Sequence, residues 1–435
     1  MPAEAQPRHV VITGVGLVSP LGNSPQDLWA ALRAGRSGVG DVPHLALDAY
    51  RTRVGGAVKD FQPREFIKDG KSLKLMTRPV RLGVAAVELA VRDAGLDAAD
   101  SRAALDPARI ASYVGSPGHA GDRDELLPAL DISYHGELDL RRFGADGIAI
   151  INPLWLLKSL ANLVLYFLSL RLGAQGPNAN ICMSGAGGTM AIGEAYEAVR
   201  QNRADLAVAG GYESLLDEER LESFEPSGLL YLGNGEATRA SRPFDRDRAG
   251  FVAAEGAAFV VLEEREHARA RGARVYGEIR GYGCASSGLA GHNTESAAAY
   301  EGAMEAALAD ARLDAWNLGG IFAHGLSTPA SDRAEAEALA RLLTARAAYT
   351  PVTAVKSLTG NLLAGSGPLE VIAALGALGA DGFLPPILNC EHPDPDLGLD
   401  YVRGSARAGS FRNLLLNAAG LGGTTASLVV DRGAA

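Results

Sequence analysis

Cysteine is scarce: Cys182, Cys284 and Cys390 are the only three in 435 residues, with no CxxC and no neighbouring His cluster. That excludes a disulfide scaffold and a cysteine-based structural zinc site, fits a reducing cytoplasm, and leaves room for one catalytic thiol. Basic runs are missing too. No stretch of five Lys or Arg occurs, and 41 Lys+Arg against 51 Asp+Glu give a formal net charge of −10. A nucleic-acid partner, which selects a basic face, is therefore not expected. The opening MPAEAQPRHVVITGVG has no basic segment followed by an apolar one, so no secretory signal is read and a cytoplasmic location is expected. Long apolar runs are also absent. The one candidate, Ile148 to Leu170, is interrupted by Pro153, Lys158 and Asn162, whereas a spanning helix needs about 20 largely uninterrupted residues. A buried helix is the reading there. No phosphate-binding GxxxxGK turn, HExxH or EF-hand loop is present, and no metal site is expected. Gly14-Val-Gly16 follows a β-rich run, but position 19 is Ser, so the dinucleotide fingerprint is incomplete and an ordinary tight turn is expected.

What the chain has is a large core and many glycines. Hydrophobic residues make up 47% and charged residues 21%, the balance of a globular protein, and 53 glycines gather at particular turns rather than in repeats. β-rich runs alternate with helical periodicity through both halves: strands at His9 to Gly14, Ile110 to Gly115, Asn180 to Met183 and Asp205 to Gly211, then Arg274 to Tyr282, Gly320 to His324, Ser410 to Asn417 and Thr425 to Val430. Helices fall after Ser24, over Thr77 to Ala94, after Pro153, from Thr189 to Asn202, from Ser296 to Ala311, from Asp332 to Leu343 and up to Ala377. This is an α/β pattern without a linker between the halves. Residues 118–146 read as a polar, irregular, exposed excursion.

Six stretches then resemble the β-ketoacyl synthase family in order and spacing: Val10 to Gly22, Gly176 to Ala195, Arg242 to Glu263, Ala323 to Asp332, Val355 to Glu370 and Gly420 to Thr425. The resemblance implies an α/β, thiolase-like five-layer αβαβα fold from two duplicated βα halves, residues 1–264 and 265–435, forming one compact unit. It implies dimers in which the strand before the nucleophile pairs across the interface. In the family a cysteine at a strand-to-helix turn attacks an acyl thioester, helped by the helix dipole and backbone N–H groups. Two imidazoles assist decarboxylation.

This chain departs from that pattern at its centre, for the nucleophile position falls on Gly185. Cys182 lies three residues upstream and reads as a small buried residue on an interface strand. Ser184 is beside the turn without an evident base, and Cys284 and Cys390 match no nucleophile motif. His324 matches the first family histidine, Lys356 the family lysine and Glu370 the acid paired with it, so Lys356 is expected to hold its turn through an ion pair. Asn361 stands where the second histidine belongs. Along the pantetheine and acyl channel, Leu326 replaces a threonine and Thr328 retains one, while Ala419 and Leu421 replace two phenylalanines of the gate.

These losses in a preserved scaffold resemble a chain length factor, a non-catalytic ketosynthase-like subunit. It pairs with an active ketosynthase and shapes the acyl tunnel in type II polyketide, polyene or fatty-acyl elongation on acyl carrier protein. The well-known aromatic-polyketide members have Gln at the nucleophile position, not Gly, which argues against a priming decarboxylase here. No cofactor is expected beyond the phosphopantetheine-bound acyl chains a partner carries. Trp155, Leu160, Leu163, Tyr166, Phe167 and Cys182 are the expected interface and tunnel residues. Arg78 to Arg81 or Arg141-Arg142 would offer a carrier protein a basic patch. Two alternatives are an acyltransferase or thioesterase-like enzyme using His324 and Asn361 without a covalent intermediate, and a homodimeric acyl-binding protein.

Overall fold

The computed structural model describes residues 8–42, 52–98, 105–118, 123–233, 235–288 and 296–433. Eleven strands form one sheet: β1 (Val10–Val18), β2 (Ile110–Gly115), β3 (Asn178–Ile181), β4 (Leu206–Ser214), β5 (Glu255–Glu264), β6 (Gly277–Ser286), β7 (Gly320–Phe322), β8 (Pro351–Thr353), β9 (Asp400–Tyr401), β10 (Leu414–Ala419) and β11 (Thr424–Asp431). Their order is β9-β8-β7-β10-β11-β6-β1-β5-β4-β2-β3. The first half runs β3-β2-β4-β5-β1, and the second repeats it as β8-β7-β10-β11-β6 with β9 added at the edge. In each half the strands nearest the outer edge pair in parallel and the other two join antiparallel. The halves are joined where Val10–Ile12 of β1 pair antiparallel with Gly277–Ile279 of β6.

Helices α1 (Pro25–Arg33), α2 (Arg78–Asp93), α3 (Leu163–Leu172), α4 (Gly187–Arg200), α5 (Ala297–Ala311), α6 (Pro329–Leu343) and α7 (Ser366–Leu378) supply the other layers. α2 and α3 cover the outside of the first half-sheet, and α5, backed by α6, covers the second. α4 and α7 touch one another and strands of both halves, so they lie between the two half-sheets. α7 is apolar nearly all round and is buried almost end to end, as a helix between two sheets must be. The result is the thiolase-like five-layer arrangement. No helix among the described residues is long and apolar enough to cross a membrane.

The glycines read as a turn at Gly14 and Gly16 stand instead inside β1, which is buried over all nine residues. A Cβ at Gly16 would lie 2.2 Å from the Ala86 carbonyl oxygen, and at Gly283 in β6 one would lie 2.1 Å from that of Ala303. Each half thus uses a glycine to bring its outer helix, α2 or α5, onto the sheet backbone. The motif is a packing device.

Two further expectations change. Residues 118–146 are largely helical where described, with a helix at Arg123–Asp131 and a π-helical turn at Phe143–Gly147. The helix expected after Pro153 is broken into Trp155–Lys158 and α3. Nor is it buried. Leu163, Val164, Leu168 and Leu172 face the core, but Leu156, Leu160, Tyr166 and Leu170 are exposed, while Trp155 and Phe167 are half-buried. Among the described residues, fourteen of the seventeen exposed large hydrophobics fall in the stretch between Leu127 and Met183, here called the apolar shelf. β3, at the sheet edge, ends at Ile181, two residues before the expected end, and Cys182 after it is exposed in the single chain. Cys284 is exposed and Cys390 buried.

Candidate active site

The two inner helices begin at the same place. After β3 the chain turns through Ser184–Ala186 into α4, and after β8 it turns through Lys356–Gly365 into α7. The two turns touch. Three non-glycine residues here hold positive φ: Ser184 at 48°, Ser327 at 69° and Leu363 at 41°. Such backbone costs about 1–3 kcal/mol per residue and persists where surrounding contacts over-determine it.

Gly185 faces His324. A Cβ at Gly185 would lie 3.6 Å from His324 Cε1, an ordinary contact, but only 2.3 Å from the Ala419 carbonyl oxygen. Backbone therefore occupies part of the space a side chain at 185 would need. Gly420 repeats the contact in reverse, its would-be Cβ lying 2.5 Å from the Met183 carbonyl oxygen.

His324 is 1% exposed. The Ala419 N–H donates to its Nδ1 at 3.2 Å, and Lys356 Nζ stands 3.3 Å from the same atom. Nδ1 is thus the unprotonated nitrogen, and the neutral ring carries its proton on Nε2. Burial, reinforced by the Lys356 charge, holds the imidazole pKa well below its ordinary value. Glu335 fixes the backbone underneath, accepting from the N–H groups of His324 at 2.8 Å and Gly325 at 2.9 Å. Asp332 likewise accepts from the N–H groups of Ser327 and Phe244. These two buried acids of α6 were given no role by motif matching. Their signal was an acid pair three residues apart, one helical turn, just after the histidine.

Lys356 and Glu370 form a buried ion pair, with Nζ 2.7 Å from Oε1 and both residues 2% exposed. Lys356 also donates to the His324 carbonyl at 2.8 Å. Burial raises the Glu370 pKa, opposed by the lysine. Asn361 Oδ1 accepts from the Leu363 N–H at 3.1 Å and from Ser366 Oγ at 3.2 Å. A backbone N–H can only donate, so the amide orientation is fixed. Asn361 Nδ2 is buried with no hydrogen-bond partner among the described residues.

Leu326 and Leu363 belong to one buried apolar cluster with Leu216 and Leu230, against which Leu421 packs. Ala419 is buried, and Thr328 Oγ1 is buried without a partner. The expected site positions, Gly185, His324, Lys356, Asn361 and Glu370, therefore converge, whereas Cys182 lies on the exposed side of the turn with Asn180 Nδ2 3.3 Å from its sulfur. Ser184 Oγ is buried without a partner, next to the turn but without a base. Arg78 and Arg81 are not a free patch: Arg78 is bonded to buried Glu255, and Arg81 donates to the Leu73 carbonyl. Among the described residues no group of His, Cys, Asp or Glu could hold a metal ion.

Burial pushes several carboxyls up together: Asp332 and Glu213 to about 7, with Glu335 and Glu370 in the same direction. Each binds its proton more tightly folded than unfolded. Their contribution to stability is full below about pH 4 and is lost as pH rises to about 7. Carboxyls held low, such as Asp205 between Arg109 and Arg8, act at more acid pH; buried His324, held low, opposes the trend below about pH 6.5, one group against four raised carboxyls. Urea unfolding at pH 5.5 and pH 8 is expected to give the higher midpoint at pH 5.5. A higher midpoint at pH 8 would contradict this assignment of buried carboxyls.

Residues 7–268 match the β-ketoacyl synthase N-terminal domain and residues 276–391 its C-terminal domain. The chain is 35% identical over 432 residues to 3-oxoacyl-[acyl-carrier-protein] synthase 2 of Vibrio cholerae serotype O1, covering 98% of this chain and 99% of the relative. It is 35% identical over 429 residues to a putative polyketide beta-ketoacyl synthase 1 of Streptomyces halstedii, covering 97% and 98%. Among solved structures, the ishigamide ketosynthase/chain length factor superposes with a TM-score of 0.86 at 28% identity, over 98% of this chain and 100% of that one. With both domains matched in order and the paired lysine and acid assembled beneath His324, the chain belongs to the β-ketoacyl synthase family.

Proposed function

We propose that this chain is a non-catalytic, chain-length-factor-like subunit that pairs with an active ketosynthase and closes the acyl tunnel during elongation on acyl carrier protein. The family's setting is fatty-acid and polyketide elongation. The observation that carries the non-catalytic reading is Gly185, which faces His324 at the head of α4 and has no side chain to acylate. The Ala419 carbonyl beside it leaves no room for one. A non-covalent acyl-transfer or thioesterase reading fares worse, because a neutral His324 with Nδ1 already accepting hydrogen bonds and its proton on Nε2 is a donor rather than a base.

The pairing reading rests on the surface. An open strand edge, β3, lies in the same stretch of chain as this concentration of exposed large hydrophobics, and such apolar surface favours an association site. The solved relative described as a ketosynthase/chain length factor favours a heteromeric partner. A carrier protein, commonly acidic, finds cations at Lys59, Arg64, Lys68, Lys71 and Lys74, all exposed, among them four of the six lysines in the chain.

Native mass spectrometry of the chain co-expressed with its ketosynthase is the test. A heteromer is expected, and the isolated chain is expected to take no acyl group from acyl carrier protein. A homodimer competent in condensation would overturn the reading. Leu156, Leu170 and Tyr166 are 67%, 65% and 56% exposed. Replacing all three with Glu is expected to abolish the heteromer while changing the stability of the isolated chain by no more than about 0.5 kcal/mol per site. Retention of the heteromer would remove the shelf from the interface.

A further inference from the structure

A cavity of about 410 Å3 opens where the C-terminal end of α7 meets α1, at the opposite end of α7 from the Asn361 turn. Its volume lies within the range of small-molecule sites. Three arginines line it, Arg33, Arg274 and Arg432, together with one acid, Asp381. None of the three guanidiniums has an ion-pair partner among the described residues, although Arg271 and Arg265 close by in sequence are both bound to glutamates. In a chain of net charge −10, three uncompensated arginines around one cavity call for an explanation.

Two of them are held in place. The Arg33 guanidinium lies over the Phe383 ring, 4.4 Å from its centroid, and donates to the Asp381 carbonyl at 2.5 Å. The Arg274 guanidinium lies over the Tyr276 ring at 4.3 Å, and the Tyr276 hydroxyl is fixed by Asp93 Oδ1 at 2.9 Å. Trp29 forms the adjoining wall. Its indole N–H donates to the Ile372 carbonyl, and it packs where a Cβ at Gly376 would lie 2.6 Å from its Cδ1. Stacking fixes each guanidinium plane while leaving edge N–H donors available, the geometry suited to a bidentate oxyanion.

The end of α7 does not by itself account for three cations. A helix C-terminus carries about half a negative charge. With the Asp381 carboxylate counted in full, the wall still keeps an excess of about one and a half positive charges. All three side chains are exposed, so water screens their mutual repulsion, and what favours an anion is the excess positive charge together with two guanidinium planes fixed by stacking. We infer that this cavity is a binding site for a small phosphate-bearing anion, separate from the His324 site and independent of whether the chain is catalytic.

Inorganic pyrophosphate is the probe. Calorimetric titration of the full chain, with ionic strength held constant by sodium chloride, is expected to show saturable one-to-one binding with a Kd of about 1 mM or tighter. The double variant Arg274→Gln, Arg432→Gln is expected to weaken it at least about tenfold, because each loses charge-assisted donors. In the absence of pyrophosphate the same variant is expected to melt close to the parent, since both side chains are exposed. That second measurement separates an anion site from a structural role. Absence of saturable binding at about 10 mM, unchanged binding in the double variant, or a clear loss of melting temperature in it would each overturn the proposal.

Discussion

Gly185→Cys is expected to give a less stable protein that still forms no acyl adduct. The new Cβ would stand 2.3 Å from the Ala419 carbonyl oxygen, a separation real side chains do not adopt. Ala419 cannot yield freely. Its N–H is bonded to His324 Nδ1, and the next residue, Gly420, rests on the Met183 carbonyl from the other side. Forcing a side chain into closed packing costs about 1–3 kcal/mol. The strain would be relieved by moving the turn away from His324, which separates the thiol from the group that should assist it. Gly185→Ala adds the same Cβ without sulfur, so the two variants are expected to lose similar stability in urea unfolding. Mass spectrometry after incubation with acyl carrier protein supplies the second readout. An acylated Gly185→Cys protein of parental stability would show that the site lacks only its nucleophile.

The second large effect is expected at Lys356. Replacing it with Met leaves Glu370 buried without its cation and strips a donor from the His324 carbonyl. Removing one partner of a buried pair typically costs about 3–5 kcal/mol, whereas replacing both by apolar groups is far cheaper. Lys356→Met combined with Glu370→Leu is therefore expected to be markedly more stable than Lys356→Met alone, giving a coupling in the range of about 1–3 kcal/mol in a double-mutant cycle. If the single variant costs under about 1 kcal/mol, the pair does not organise this turn. The experiment isolates what the buried pair contributes to holding this turn beneath His324.

Much of this was legible in the chain. The alternation of strands and helices, repeated twice, specified the layers, and motif spacing brought His324, Lys356, Asn361 and Glu370 to one place. The failures have distinct causes. Gly14 and Gly16 were misread because a glycine that admits a helix backbone and a glycine that makes a turn leave the same letter. The helix near Leu154–Leu170, apolar on every side, calls for burial in a core or an interface; the single chain leaves much of it exposed, because periodicity records that a face needs cover, not whether the cover lies in the same chain. The closure over Gly185 had no side-chain signal, since it is made by the Ala419 backbone. Glu335 and Asp332 escaped because most of their partners are backbone N–H groups, which any sequence supplies, and the side chains they also meet, Asn417 and Arg248, are distant in sequence.

The open β3 edge has a consequence for how this protein is made. β3 is paired with β2 on one side only, and the open side of its four residues, in the stretch of chain that carries the shelf from Leu127 to Met183, forms a template onto which another extended chain can add. Produced in excess of whatever covers that edge, the polypeptide would find its own copies or unfolded neighbours first. If the proposed ketosynthase partner is what covers the edge, yield of properly folded material should track the ratio at which the two chains are synthesised rather than the amount of this one.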